Sequence, residues 1–432
     1  MPTSRHPTNK LLTTWRSRNT IRKISCLLVH FVGIIKYKHM KIQQNIKLKV
    51  QEYLNEIIFL RRYFHKNPEL STQETNTSNF IFQKLQEFGL KNIKRYANNG
   101  ISCVIDGFKK GRTIGIRAEM DALPIEEENN VSYRSTNKGV MHACGHDAHI
   151  AIVLGIAKIL NDMKSQMQGS VKLIFQPSEE TLPGGALSMI KEGVLKNPDI
   201  ALMLGLHVLP ELDTGKIGIK AGQYMASCDE IFIKIKGRGG HAAMPEVIND
   251  PVLCASQIIV TLKQVISENI PSGIPAILSF GKFIANGRTN IIPDKVEIEG
   301  TFRTFDEEIR KEAHNTITNI IKNIASAYGT NVEINIIHGY PSLINDNDIS
   351  NRVKRALKQF LGNENIIELP LRMTSDDFSW YSQNVPACFF RLGVGFGDKE
   401  NRKLHTSTFD INEKSIEIGT NSILVCVFDF LS

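Results

Sequence analysis

Three of the chain's twelve histidines, His142, His146 and His149, fall in the single run MHACGHDAH, which also holds Cys144 and Asp147. So dense a group of soft and borderline donors is the pattern of a metal site rather than of isolated core histidines. Cys144 and His146 are two residues apart and cannot share one face of a helix. An extended loop that turns at Gly145 lets both converge on one ion. Adjacent glutamates, Glu179 and Glu180, follow a strand predicted to end at Phe175 and precede Pro183, Gly184 and Gly185. His207 is predicted to end the strand IALMLGLH, and His405 follows the strand PACFFRLG. Cys144, His146, Glu180, His207 and His405 make five potential ligands, one more than a tetrahedral zinc requires. Two metals sharing a bridging ligand use all five, which leaves Glu179 free to deprotonate a water.

These residues need a scaffold that brings distant loops together. Helical spacing is expected over Lys41–Phe64 and Ser78–Phe88, and the runs Ile101–Phe108 and Thr113–Ala118 are expected to form a hairpin. A helix from Ala148 to Met163, the strand Ser170–Phe175, a helix from Gly185 to Val194 and the strand Ile200–His207 then alternate. That alternation predicts an α/β fold: a catalytic domain with a mixed, largely parallel sheet flanked by helices. After Gly222 the order becomes β-α-β-β-α-β, which predicts an inserted ferredoxin-like α+β lid domain. The expected division is a leader over 1–39, the catalytic domain over 40–222 and 341–432, and the lid over 223–340. Candidate sites lie at the carboxyl ends of the strands, where open α/β sheets place them.

Composition narrows the function. The chain has 432 residues, 42% hydrophobic and 22% charged, with a formal net charge of +8. Residues 1–39 hold eight of the 52 Lys and Arg and none of the 44 Asp and Glu, so the remainder is neutral. A general grip on nucleic acid is therefore not expected. The apolar run Ile24–Ile35 is too short to span a membrane. The leader reads as an organellar presequence, a signal peptide or a segment upstream of a true start at Met40. Seven widely spaced cysteines without a C-x-x-C pair point to a reducing compartment, with the cytoplasm expected.

Ten ordered blocks resemble the aminoacylase and carboxypeptidase G family of dinuclear metallohydrolases, in its amidohydrolase branch. They are RRYFHKNPELSTQE, RAEMDALPIEE, MHACGHDAH, FQPSEE with GGA, GLHVLP, GRGGHAAMP, NIIPD, GTFRTF, SDDFSWY and LHTSTFD. The resemblance implies a catalytic domain with an inserted lid. It also implies two divalent metals (Zn, Mn or Co) held by Cys144, His146, Glu180, His207 and His405, with Cys144 bridging. Glu179 becomes the general base and acid, and Asp121 orients a ligand. His241 and Asn290 in the lid reach toward the scissile carbonyl, and the lid mediates a homodimer or higher oligomer. The implied activity is that of an amidohydrolase (EC 3.5.1.-) acting on a small-molecule N-acyl amino acid. A dipeptidase or carboxypeptidase with the same site, or an inactive amino-acid-binding homologue, are the alternatives. Three positions depart from the family pattern: Glu119 and Asp376 exchange the usual Asp and Glu, and Glu246 stands where a second lid His is common. His65 and Glu74 are expected to tie the first helix to the sheet, and His241 has a competing reading as a turn residue.

Overall fold

The computed structural model describes residues 40–96, 98–398 and 402–431, so the leader lies outside the described residues. The chain begins with helices α1 (40–66) and α2 (Thr75–Glu87) and strands β1 (Asn92–Arg95), β2 (Ile101–Asp106) and β3 (Lys109–Glu119). Helix α3 (His146–Met163), β4 (Gln168–Gln176), α4 (Gly185–Lys191), β5 (Ile200–Asp213), β6 (Ile217–Ile219) and β7 (Gly222–Met225) follow. A second unit holds β8 (Asp229–Lys236), β9 (Gly240–His241), α5 (Pro251–Asn269), β10 (Ala276–Ile284), β11 (Ile291–Ile292), β12 (Lys295–Thr304), α6 (Glu307–Ala327) and β13 (Asn331–His338). The chain then returns through β14 (Leu343–Asn345), α7 (Asn347–Leu361), β15 (Ile366–Glu368), α8 (Ser379–Ser382), β16 (Ala387–Gly395) and α9 (Lys414–Phe430).

The large sheet has eight strands in the order β1-β2-β4-β3-β5-β16-β6-β15. Its centre, β4-β3-β5-β16, is parallel, so four strands present their carboxyl ends on one edge. The expected hairpin of β2 and β3 does not form. Strand β4 lies between them, antiparallel to β2 and parallel to β3. Local turn residues suited a hairpin, but β3 is buried over its second half and gains more from strands on both sides than from its sequence neighbour.

Helix α3 is apolar on nearly every face and buried from His146 to Ile156, packed beneath the sheet with α1 and α9. On α1, Ile46, Val50, Ile57, Leu60 and Phe64 make the buried stripe. The opposite face of the sheet is covered by a second cluster that includes Met189, Tyr224, Phe378, Tyr381 and Phe389.

The second unit is an antiparallel sheet in the order β10-β12-β8-β13, the ferredoxin-like arrangement. Alternation along β8 buries Ile231, Ile233 and Ile235 against α5 and α6. Asp250 and Asp306 cap those two helices by accepting from the backbone N–H groups of Val252 and Leu253, and of Glu308 and Ile309. Among the described residues no helix is long and apolar enough to cross a membrane.

Candidate metal centre

The parallel edge of the large sheet gathers the predicted donors. Cys144 lies in the turn before α3, and Gly145 caps that helix in the left-handed conformation, φ +81°. A Cβ there meets Val208 Cγ2 at 2.5 Å, so only glycine lets the loop approach β5 this closely. His146 is the first residue of α3 rather than part of an extended loop. His207 does not end β5, which continues to Asp213. Pairing of β5 with β3 stops at Gly205, however, and frees that edge of the strand. The freed Val208 N–H donates to His149 Nε2 at 3.0 Å, and His207 Nδ1 donates to the Val208 carbonyl at 2.8 Å.

Cys144 belongs to two groups of donors. With His146 and His207 it forms one set, and with Glu180 and His405 another, the candidate atoms in each set lying within 4.8 Å of one another. Cys144 Sγ is 3.4 Å from His207 Nε2, and His405 Nε2 is 3.3 Å from Glu180 Oε1. His405 is exposed and has φ +62°, an uncommon conformation for a non-glycine residue, held by its backbone N–H to Ala143 O at 2.8 Å.

The tautomers are set for ligation. His146 Nδ1 donates to the Asp121 backbone carbonyl at 2.9 Å, with Asp121 Oδ1 at 3.3 Å, so Nε2 is the ring nitrogen left facing the cluster, free to ligate once its proton is displaced. That Nε2 and Glu180 Oε1 are both enclosed without a hydrogen-bond partner, which is what a cation-binding donor set looks like before the cation's own contribution. Asp121 Oδ2 also accepts the Glu180 N–H at 2.8 Å and the Ser71 hydroxyl at 2.8 Å, linking two loops of the cluster. The donor set of one thiol, three imidazoles and a carboxylate fits a borderline divalent ion.

Glu179 is buried beside this cluster, its Oε2 3.9 Å from His146 Nε2. Tyr340 donates its hydroxyl to the Glu179 carbonyl. Burial, then the charges of Asp376 and Glu180, hold the Glu179 carboxyl well above the ordinary carboxylate range. Burial and the carboxylates of Glu180 and Glu179 likewise push up the Cys144 thiol. For His146, burial lowers the pKa, but the Asp121 hydrogen bond and the Glu119 charge outweigh it and raise the value to about 10. Burial and the neighbouring Arg391 charge hold His207 neutral.

The sequence reading gave no role to Arg117, Asp377 or Gln176. Arg117 is fully buried on β3, pairs with Glu119 and Asp377, and lies 3.2 Å from Asp376. Asp377 also accepts from Gln176 at 2.6 Å and from the Ala186 N–H at 3.0 Å. Two charged residues, Arg117 and Glu119, inside the otherwise apolar IGIRAEM were the available signal. His149 donates from Nδ1 to Glu119 at 2.9 Å, so both its ring nitrogens are occupied and it supports the site instead of joining it. Glu74 accepts the Ser178 N–H at 2.7 Å and so holds the loop carrying Glu179 and Glu180, while His65 bridges Asp147 and Glu127. His241 and Asn290 are not brought to the cluster. Both are exposed, and their hydrogen bonds are made within the second unit, where His241 pairs with Ile291 and the Asn290 carbonyl accepts from Ala242.

With this geometry in view, comparison with known proteins is decisive. The profile of peptidase family M20/M25/M40 matches residues 115–427. The chain belongs to this family. An N-acyl-L-amino acid amidohydrolase of Geobacillus stearothermophilus is 40% identical over 303 residues, covering 70% of this chain and 81% of that protein. Among solved structures, a putative aminohydrolase from methicillin-resistant Staphylococcus aureus superposes with a TM-score of 0.84 at 33% identity, covering 90% of this chain and 100% of that one. The Bacillus subtilis YXEP protein, described as a dinuclear metal binding peptidase from the M20 family, gives 0.74 at 31% identity, covering 88% and 99%. The mixed sheet with its separate antiparallel unit is thus the M20 fold.

Proposed function

We propose that the protein is a metal-dependent amidohydrolase that splits N-acyl amino acids, or related small amide conjugates, into a carboxylic acid and an amino acid. The observation that carries this reading is Cys144, common to two three-donor groups, with Glu179 beside them and needed by neither. The names of the Geobacillus relative and of the Bacillus structure support, respectively, the substrate class and a two-metal site. Cys144, His146, Glu180, His207 and His405 would hold two divalent cations (Zn, Mn or Co), Cys144 being the donor common to both groups. When bound, such cations polarise the amide carbonyl and acidify a water.

The protein's own residues do the rest. Glu179 takes a proton from the attacking water and returns it to the leaving amine, a role suited to a carboxyl whose proton affinity is raised. Asp121 keeps His146 and the Glu180 loop in place. His241 and Asn290 approach the carbonyl oxygen from the lid, by domain closure or from the lid of a second copy in a homodimer. The widely spaced cysteines support a reducing compartment such as the cytoplasm.

The test is metal analysis of the full chain reconstituted with Zn, Mn or Co, followed by kinetics on N-acetyl and N-benzoyl amino acids, dipeptides and acylated diaminopimelate. Two cations per chain and cleavage of N-acyl amino acids, both abolished by chelation, are expected. Full activity in the metal-free chain overturns the mechanism, and turnover of dipeptides alone overturns the substrate class.

A further inference from the structure

Between α6 and β13, in the second unit, lies a cavity of about 680 Å³, within the size range of small-molecule sites. None of the candidate metal donors lines it. Its two walls differ in kind. From α6 come Lys311, His314, Thr318 and Lys322, three or four residues apart and so on one face of the helix. From β13 come Val332, Ile334, Ile336 and His338, alternate residues that share one face of the strand.

Two carboxylates bear on this cavity, and both are committed elsewhere. Asp229 accepts from Arg310 Nε at 2.9 Å, from Arg310 Nη2, from His314 Nε2 at 2.7 Å and from the Gly339 N–H at 3.2 Å. That is two donors to each oxygen, which fills a carboxylate's capacity. Glu307 pairs with Arg310 at 2.9 Å and accepts the Ser342 N–H at 2.7 Å. The groups left over are nitrogens. Lys311 and Lys322 are exposed and form no ion pair among the described residues. His314 is only 7% exposed, and with Nε2 held by Asp229 its Nδ1 is enclosed without a hydrogen-bond partner. The His338 ring stands edge-on to it, the centroids 4.5 Å apart. In an imidazolium both nitrogens donate, so His314 Nδ1–H is available to an acceptor in the cavity. A cation entering here meets lysines and a saturated Asp229, whereas an oxyanion meets donors.

We propose that this cavity binds a small organic acid, its carboxylate at His314, His338 and Lys311 and its apolar body along Ile336 and Ile334. Lys322, two helical turns beyond His314, adds positive charge at the other end of the groove. The inference stands independently of the amidohydrolase reading. Asp229 opens β8 and His338 closes β13, so the acid sits where the chain enters and leaves the second unit. Tyr340, two residues after His338, donates its hydroxyl to the Glu179 carbonyl, so occupancy braces the strand that reaches the candidate base.

The experiment measures amide hydrogen exchange of the metal-loaded full chain with and without phenylacetate, and the affinity by calorimetry. Phenylacetate should bind with a Kd of about 1 mM or tighter and slow exchange at least about threefold over residues 310–322 and 332–342. Reversing both exposed lysines, Lys311→Glu with Lys322→Glu, should weaken binding at least about tenfold and remove that protection. His314→Phe should do the same, and the lysine variant decides the matter should His314→Phe not fold. No protection of these segments at about 10 mM phenylacetate overturns the proposal, as does an affinity unchanged in the lysine variant. Protection confined to residues 142–149 and 178–181 places the acid in the metal centre alone and overturns it too. Inorganic phosphate protecting the same segments as strongly overturns the role of the apolar body. A third zinc bound to chain already loaded with two, and lost in His338→Gln, replaces the acid site with a cation site.

Discussion

At the scale of single residues, Glu179 and Cys144 have separable duties. Glu179 is not required by either donor group, so Glu179→Gln should keep both metals and the fold yet lose about 100- to 10,000-fold in kcat. A loss below about tenfold, with metal content verified, removes it as the base. Cys144 is an acceptable ligand only as a thiolate, although burial and its carboxylate neighbours raise its pKa. Cation binding must therefore drive its proton off. Loading with cobalt should give a sulfur-to-cobalt charge-transfer absorption in the near ultraviolet that Cys144→Ser abolishes. Full cobalt occupancy without such a band excludes sulfur from the centre.

At the scale of elements, ion pairs fasten helices to the two sheets. Arg61 on α1 bonds Asp147 at 2.9 Å and Asp410 at 2.7 Å, so the first helix, the start of α3 and the segment before α9 share one buried charge. Arg61→Met leaves Asp147 with His65 as its one remaining ion-pair partner among the described residues, in a dry site, and should cost about 3–5 kcal/mol, measured by denaturant unfolding of the full chain. A change under about 1 kcal/mol shows that the tie is dispensable. In the second unit, the His314 hydrogen bond and Arg310 outweigh burial and lower the Asp229 pKa. A depressed carboxylate contributes its full stability above the unfolded value near 4 and loses it as pH falls through the folded one. Wild type should therefore lose stability on acidification below about pH 4 more steeply than Asp229→Asn. Parallel acid profiles count against the linkage.

At the scale of the whole molecule, His241 is exposed on the second unit, while the candidate centre is built on the large sheet. If His241 acts on the site of a neighbouring copy, mixing His241→Ala with Glu179→Gln under conditions that exchange subunits should recover up to about a quarter of wild-type activity. That figure follows from half of the chains entering hybrids, each with one intact composite site of two. No recovery despite verified exchange places His241 in its own subunit's site or outside catalysis.

Much of this was legible in the chain itself. Donor chemistry depends on residue type, so Cys144, His146, Glu180, His207 and His405 stand out before any fold is known, and hydrophobic period separates the helices from the strands around them. The ferredoxin-like order of the second unit was equally readable, because each element carries its own pattern. What the sequence could not hold is pairing between segments distant in the chain. The insertion of β4 between β2 and β3, and the early end of the β3–β5 ladder that frees Val208 for His149, follow from burial on both faces of a sheet. The same holds for charge. Arg117, Arg310 and Arg391 look alike as letters, and only the tertiary structure decides that two of them meet carboxylates while the third faces a tyrosine and a methionine.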